Sequence, residues 1–201
     1  RGLALGGGLK PDLVAAGVAV PTSEPGRGEE GEVRFGTVSG TSVAAAVVAG
    51  AAAVLAEGRP KLTAAGLMSL LIGSAQRRAL DRDALASGAG LVDLRAAIQQ
   101  EIVTNPTSVS FGVPVRSSLE LERTVRVRNV STRDLEISIQ PTALVTKGVE
   151  ISVDPERIML RPGRSADVLV RLSCVIKKER IAYEDVRGPS KKLLDKGVEG
   201  F

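Results

Sequence analysis

Histidine is absent from all 201 residues, so no Ser-His or Cys-His pair and no ordinary zinc site can be assembled from this chain alone. Tryptophan is absent too, and aromatic residues make up 2% of the chain, with Tyr183 the one tyrosine. That poverty excludes base-stacking platforms and leaves Val, Leu, Ile and Ala to fill any core. The single cysteine, Cys174, excludes an intramolecular disulfide, and it lies in an alternating, strand-like run where a buried thiol is expected. A stripe of one charge sign is also missing: 27 basic and 23 acidic residues are interspersed for a formal net charge of +4, which argues against a nucleic-acid partner. The chain opens at Arg1-Gly2 in loop-like sequence, with neither an initiator Met nor a charged-apolar-small leader, and is expected to be the C-terminal portion of a longer protein.

What is present is enough for a globular protein, since 43% of residues are hydrophobic and the length allows one large domain or two ordinary ones. Residues 1 to 9 are Gly-rich, and Lys10 to Val18 reads as a buried strand and turn. Pro21 to Gly36 collects Pro, Ser, Gly and Glu and is expected to be a surface loop. Within it, Gly26-Arg27-Gly28-Glu29-Glu30-Gly31 has the spacing of a dinucleotide fingerprint but no strand before it and no helix after it, and Glu29 and Glu30 would face the phosphates. From Val43 to Ala56 no residue is charged, so a helix there is apolar on every side and is expected to be a buried core helix. Ser42 or Thr41 is its expected cap, and Glu57-Gly58-Arg59-Pro60 its stop. A membrane span is not expected, because the run is short, rich in Ala and Gly, and lacks flanking aromatics.

Leu62 to Ile72 reads as an amphipathic helix capped by Thr63, Gln76 to Ser87 as charged loop, and Leu94 to Ile98 as a last helix. The period changes from 3.6 to two at Asn105-Pro106. Leu119 to Val127, Leu135 to Ile139, Val149 to Val153, Ile158 to Leu160 and Ala166 to Cys174 alternate apolar with polar, which predicts antiparallel strands around one buried face. The expected divisions are 1–103, a 104–175 sandwich, and a charged tail over 176–201. Asn129-Val130-Ser131 matches a glycosylation acceptor, and an Asx-type turn explains it as well.

Chemistry concentrates at Gly40-Thr41-Ser42. A serine at a helix start has its own N–H unpaired at the positive end of the helix dipole, where an oxyanion binds well, and small neighbours admit a substrate backbone. Gly40-Thr41-Ser42-Val43-Ala44 with Val48-Ala49-Gly50 resembles the catalytic-serine motif of the subtilisin-like serine proteases, the subtilases. Arg1-Gly2 and Lys10-Pro11-Asp12-Leu13-Val14-Ala15-Ala16-Gly17-Val18 are similar to the family's segment upstream of the serine, and Gly88 to Asp93 with Ala96-Ala97 to the helix that closes its catalytic domain. Pro106 to Gly112 and Arg123 to Asn129 are similar to the fibronectin type III-like domain that follows many subtilase catalytic domains.

The resemblance implies an α/β fold, the C-terminal part of a parallel-sheet subtilisin-like domain, mainly helical here, plus an all-β immunoglobulin or fibronectin III-like sandwich. It implies a serine endopeptidase in which Ser42 is the nucleophile and an oxyanion donor, with Gly40, Thr41, Ala44 and Gly50 supporting the motif. In the family's order Asp, His, Ser, the serine comes last, so the aspartate, histidine and oxyanion asparagine are expected upstream of Arg1, and the 201 residues alone are expected to be inactive. A Ser-Lys pair through Lys10 or Lys61 has no support from spacing. The resemblance further implies protein or peptide substrates, an extracellular or cell-surface location, no cofactor in this chain, and room for structural calcium in the complete protein; Asp12 reads as a turn residue. The oligomeric state has no signature. Ala16, Ala46 and Val47 depart from the family's usual Pro, Pro and His, and they motivate an alternative, a pseudo-protease scaffold or protein-binding module.

Overall fold

A computed structural model of the chain describes residues 2–4, 8–76, 84–111, 118–141 and 148–175. The tail over 176–201, Tyr183 included, lies outside the described residues. Two short strands, β1 (Gly2–Leu3) and β2 (Leu9–Lys10), pair antiparallel at the start.

The segment expected to be a surface loop is instead a hairpin of β3 (Val20–Arg27) and β4 (Val33–Val38), with Val20 opposite Val38 and Ser23 opposite Phe35. Gly26 (φ 86°) and Gly31 (φ 85°) bend the chain where a side chain would be strained, and the register shifts between Ser23 and Arg27. The alternation that announces a strand depends on one buried face, and this hairpin is exposed nearly throughout, so its period was invisible. The Gly26 to Gly31 match therefore lies in a hairpin turn, where the Arg27 guanidinium donates to the Gly31 carbonyl at 2.7 Å, and not ahead of a helix.

Helix α1 (Thr41–Gly58) runs for 18 residues. It is followed by α2 (Ala64–Gly73), the single turn α3 (Ala84–Ser87) in the stretch expected to be loop, and α4 (Leu94–Gln99). Thr63 caps α2 as expected, its hydroxyl accepting from the Gly66 N–H at 3.3 Å. Asp93 caps α4, with Oδ1 accepting from the Ala96 N–H at 2.9 Å and Oδ2 from the Gln76 amide. Those contacts hold the Asp93 carboxyl below its ordinary pKa, the Ala96 N–H contributing most. Leu91 bridges Val14 on one side and Gln76 on the other, which ties the segment after β2 to the helices.

Leu55, Leu70, Leu71 and Ala97 form the buried core of this part, with Leu13, Val92 and Leu94 packed around it. The expectation that α1 is a buried core helix is met at Leu55 alone, the one buried residue of the helix, while Val47 and Val54 remain 37% and 49% exposed. The physical reason is a shortage of neighbours. Among the described residues α2, α4 and the segment before the hairpin pack beside α1, and they do not surround a helix that is apolar on every side. By length and by a mean hydropathy of 1.6 it could also cross a membrane, the one helix among the described residues of which that is true.

The rest is antiparallel sheet. Strand β5 (Ile102–Asn105) enters at one edge, followed by β6 (Ser118–Asn129), β7 (Leu135–Ser138), β8 (Val149–Asp154), β9 (Arg157–Leu160) and β10 (Ser165–Val175). One sheet has the order β5-β6-β10-β8, and β7 pairs with β9. Val127 and Val168 from the first sheet meet Ile137, Ile158 and Leu160 from the second in a separate core. The strands fall where the period-two runs placed them, and β5 is an addition that precedes the period change. Cys174 is buried opposite Leu119 and Val149, as its run suggested. On the outer face, Arg126 meets Asp167 at 2.7 and 2.9 Å and Arg171 meets Glu122 at 2.6 Å; all four are exposed, so each pair adds little stability.

Candidate functional site

The start of α1 is fixed by the backbone and not by a side chain. Gly40 is the N-cap, with no side-chain capping bond, so neither Ser42 nor Thr41 caps the helix as expected. The Gly40 carbonyl accepts from the Val43 and Ala44 N–H groups at 3.1 and 3.3 Å, and the Gly40 N–H donates to the Gly17 carbonyl at 2.7 Å. Two residues further along the same segment, the Ala19 N–H donates to Ser39 Oγ at 2.9 Å, holding Ala19 at a φ of 51° that alanine rarely adopts. Two hydrogen bonds thus strap residues 17–19 to residues 39–40 at the mouth of the helix.

Gly17 is small because it must be. A Cβ there would lie 2.8 Å from the Gly40 carbonyl oxygen and 3.1 Å from the Ala44 Cβ. Ala44 is half-buried against this glycine, which gives the motif's small residue a packing role. Gly50 is exposed, and a side chain there would meet nothing within 4 Å.

Ser42 stands in the first turn of α1, exposed, and neither its Oγ nor its N–H has a hydrogen-bond partner among the described residues. A helix of 18 residues puts the positive end of its dipole there, and the free N–H points the same way. The arrangement can offer a hydroxyl and one anion-stabilising donor. A base it cannot offer from within, since no histidine exists in the chain. Lys10 is held by Asp12 at 2.6 Å, and Lys61 lies past the far end of α1, roughly 25 Å away at 1.5 Å per residue, beside Arg126 and Arg128 in a small cleft of about 370 Å³. Asp12 sits in that pair and in a turn whose backbone carbonyl accepts from the Ala89 N–H at 2.8 Å. Among the described residues no group of three or more His, Cys, Asp or Glu side chains is placed to hold a metal ion.

A large apolar cleft of about 1120 Å³ runs beside the helix, between the segment before the hairpin and α2, walled by Leu13, Val14, Ala44, Val48, Leu71 and Ile72. Thr41 and Gly40 reach its rim, while Ser42 is not part of its wall. Sequence reasoning missed Ser39 and the partnership of Gly17 with Gly40, because residues some 20 apart signal nothing locally about their meeting.

Asn129 settles between its two readings. It is fully buried; its Nδ2 donates to the carbonyls of Arg133 and Leu160 at 2.7 and 2.8 Å, and its Oδ1 accepts from the N–H and hydroxyl of Ser131, both at 2.8 Å. The motif is an Asx-type turn whose amide nitrogen has no free access.

Residues 1–91 match the model of the Subtilase family. A stretch of 108 residues is 29% identical to the minor extracellular protease Vpr of Bacillus subtilis (strain 168), covering 52% of this chain and 13% of that protein. The chain thus spans about an eighth of the length of the curated relative it matches. These matches support a subtilisin-like segment, related to a serine-protease family, at the end of the chain that carries Ser42.

Proposed function

We propose that the protein of which these residues form part is a subtilisin-like serine endopeptidase, with Ser42 as nucleophile. The observation that carries this reading is the coincidence of two things at one residue: a serine with free hydroxyl and free N–H at the start of a long helix, inside the segment that matches the Subtilase family. In the proposed reaction Ser42 Oγ attacks the scissile carbonyl and a histidine takes its proton. An aspartate orients that histidine, and the Ser42 N–H with an asparagine amide holds the oxyanion. The histidine must come from outside these 201 residues, and we place the aspartate and asparagine there as well.

The further parts of the reading are proposals of the same kind. Substrates are proteins or peptides, no cofactor takes part in the chemistry, and any structural calcium belongs to the complete protein. The location is extracellular or at the cell surface, in keeping with the extracellular protease of Bacillus subtilis that the chain resembles. The sheets over 104–175 are a fibronectin III-like accessory sandwich, which the shared core of two antiparallel sheets supports. Helix α1 is a core helix and not a span, since its N-terminus is strapped to residues 17–19 and its C-terminal half packs on α2 and α4.

Labelling of the complete protein with a fluorophosphonate probe tests the assignment. An adduct on Ser42 that disappears in Ser42→Ala is expected. A folded complete protein that takes no label would favour the scaffold reading that Ala16, Ala46 and Val47 motivate.

A further inference from the structure

The Asn129 turn does more than reverse the chain. Its conformation is held at every polar atom of Asn129: besides the four side-chain contacts, the Asn129 N–H donates to the Arg164 carbonyl and its carbonyl accepts from the Gly163 N–H, both at 3.0 Å. The turn so fixed presents Val130 away from the core of the sheets and against the other core, where it packs with Val103 on the Leu55, Leu70, Leu71 and Ala97 cluster. The Val130 N–H donates to the Glu101 carbonyl at 2.9 Å. Arg133, three residues on, grips the Glu101 carboxylate with two parallel bonds of 2.9 and 2.6 Å.

The residues just before Glu101 are anchored to the end of α1. Arg59, just past the end of α1, donates to the carbonyls of Ile98 and Gln100 at 2.6 and 3.0 Å. Further along the chain at the same seam, the buried Ser69 of α2 accepts from the Thr104 N–H of β5 at 2.7 Å. Backbone bonds, a two-pronged ion pair and an apolar plug all cross between the sheets and the helices within a few residues.

We propose that the 129–133 turn is a docking element that makes the C-terminal sheets a wall of the core holding α1 and α2. The two parts then behave as one body and not as beads on a flexible linker. Asn129 shapes the turn, Val130 plugs the helical core, and Arg133 locks it to Glu101. The inference stands apart from the chemistry assigned to Ser42.

Hydrogen exchange read by mass spectrometry on the full chain tests it. Val130→Ala should speed exchange of amides in 51–58 and 67–72 about tenfold while β6 and β10 keep their rates. Ile137→Ala, in the other core, should do the reverse. Should Val130→Ala not fold, Arg133→Gln, altered only at an exposed guanidinium, should still speed the same helical amides about two- to fivefold. Unchanged helical exchange in the folded variants, or acceleration confined to the sheets, would overturn the docking role.

Discussion

Thr63 accepts a hydrogen bond from the Gly66 N–H and so caps α2, whereas Ser42 sits within the first turn of α1 with no partner among the described residues. Thr63→Ala should therefore lower stability by about 1 kcal/mol, and Ser42→Ala should change it by less than about 0.5 kcal/mol in urea unfolding. A serine that can be removed without structural loss is free for chemistry. Gly17→Ala should cost roughly 1–3 kcal/mol, because the Gly40 carbonyl it would strike belongs to the rigid start of the helix. Asn129→Ala strands the Arg133 and Leu160 carbonyls and the Ser131 N–H, which predicts a loss of roughly 2–3 kcal/mol. Peptide mapping after expression in a eukaryotic secretory host should find Asn129 without a glycan.

Elements with one buried face or a capping residue were legible from sequence. The runs around Leu121, Ile137, Ile151, Ile158 and Val168 became β6 to β10, and Thr63 marked the start of α2. What escaped reading lacked a local signal. The hairpin over Val20–Arg27 and Val33–Val38 exposes both faces, and β5 is too short to show a period before Asn105-Pro106. The motif around Ser42 was readable as chemistry, yet the strap from Gly17 and Ala19 that fixes it was not, since the contact depends on the fold. Carboxylates at element ends also set the response to acid. Asp93, bonded to the Ala96 N–H and Gln76, Glu101, bonded to Arg133, and Asp167, bonded to Arg126, all have pKa values lowered on folding. A lowered carboxylate contributes stability that is fully present above its unfolded pKa and is lost as pH falls through the folded one. The urea midpoint should hold level from neutrality to about pH 5 and then decline, with Asp93→Asn reducing the decline.

At the scale of the whole molecule, apolar surface is the dominant feature. Val18 is 83% exposed and Phe35, in the hairpin, 75%, and the open flank of α1 and the large apolar cleft add to that surface. The 201 residues by themselves should bind a hydrophobic dye and associate as concentration rises, as sedimentation would show. They should also hydrolyse no peptide in a Ser42-dependent manner, for want of a base. Strand β5 has one more consequence. Because residues 102–105 are paired to β6 along their length and Glu101 is gripped by Arg133, a protease meets no slack peptide where the helices end and the sheets begin. A glutamate-specific protease should cut in the hairpin turn at Glu29 and Glu30 well before the bond after Glu101, so that early digestion leaves the seam whole.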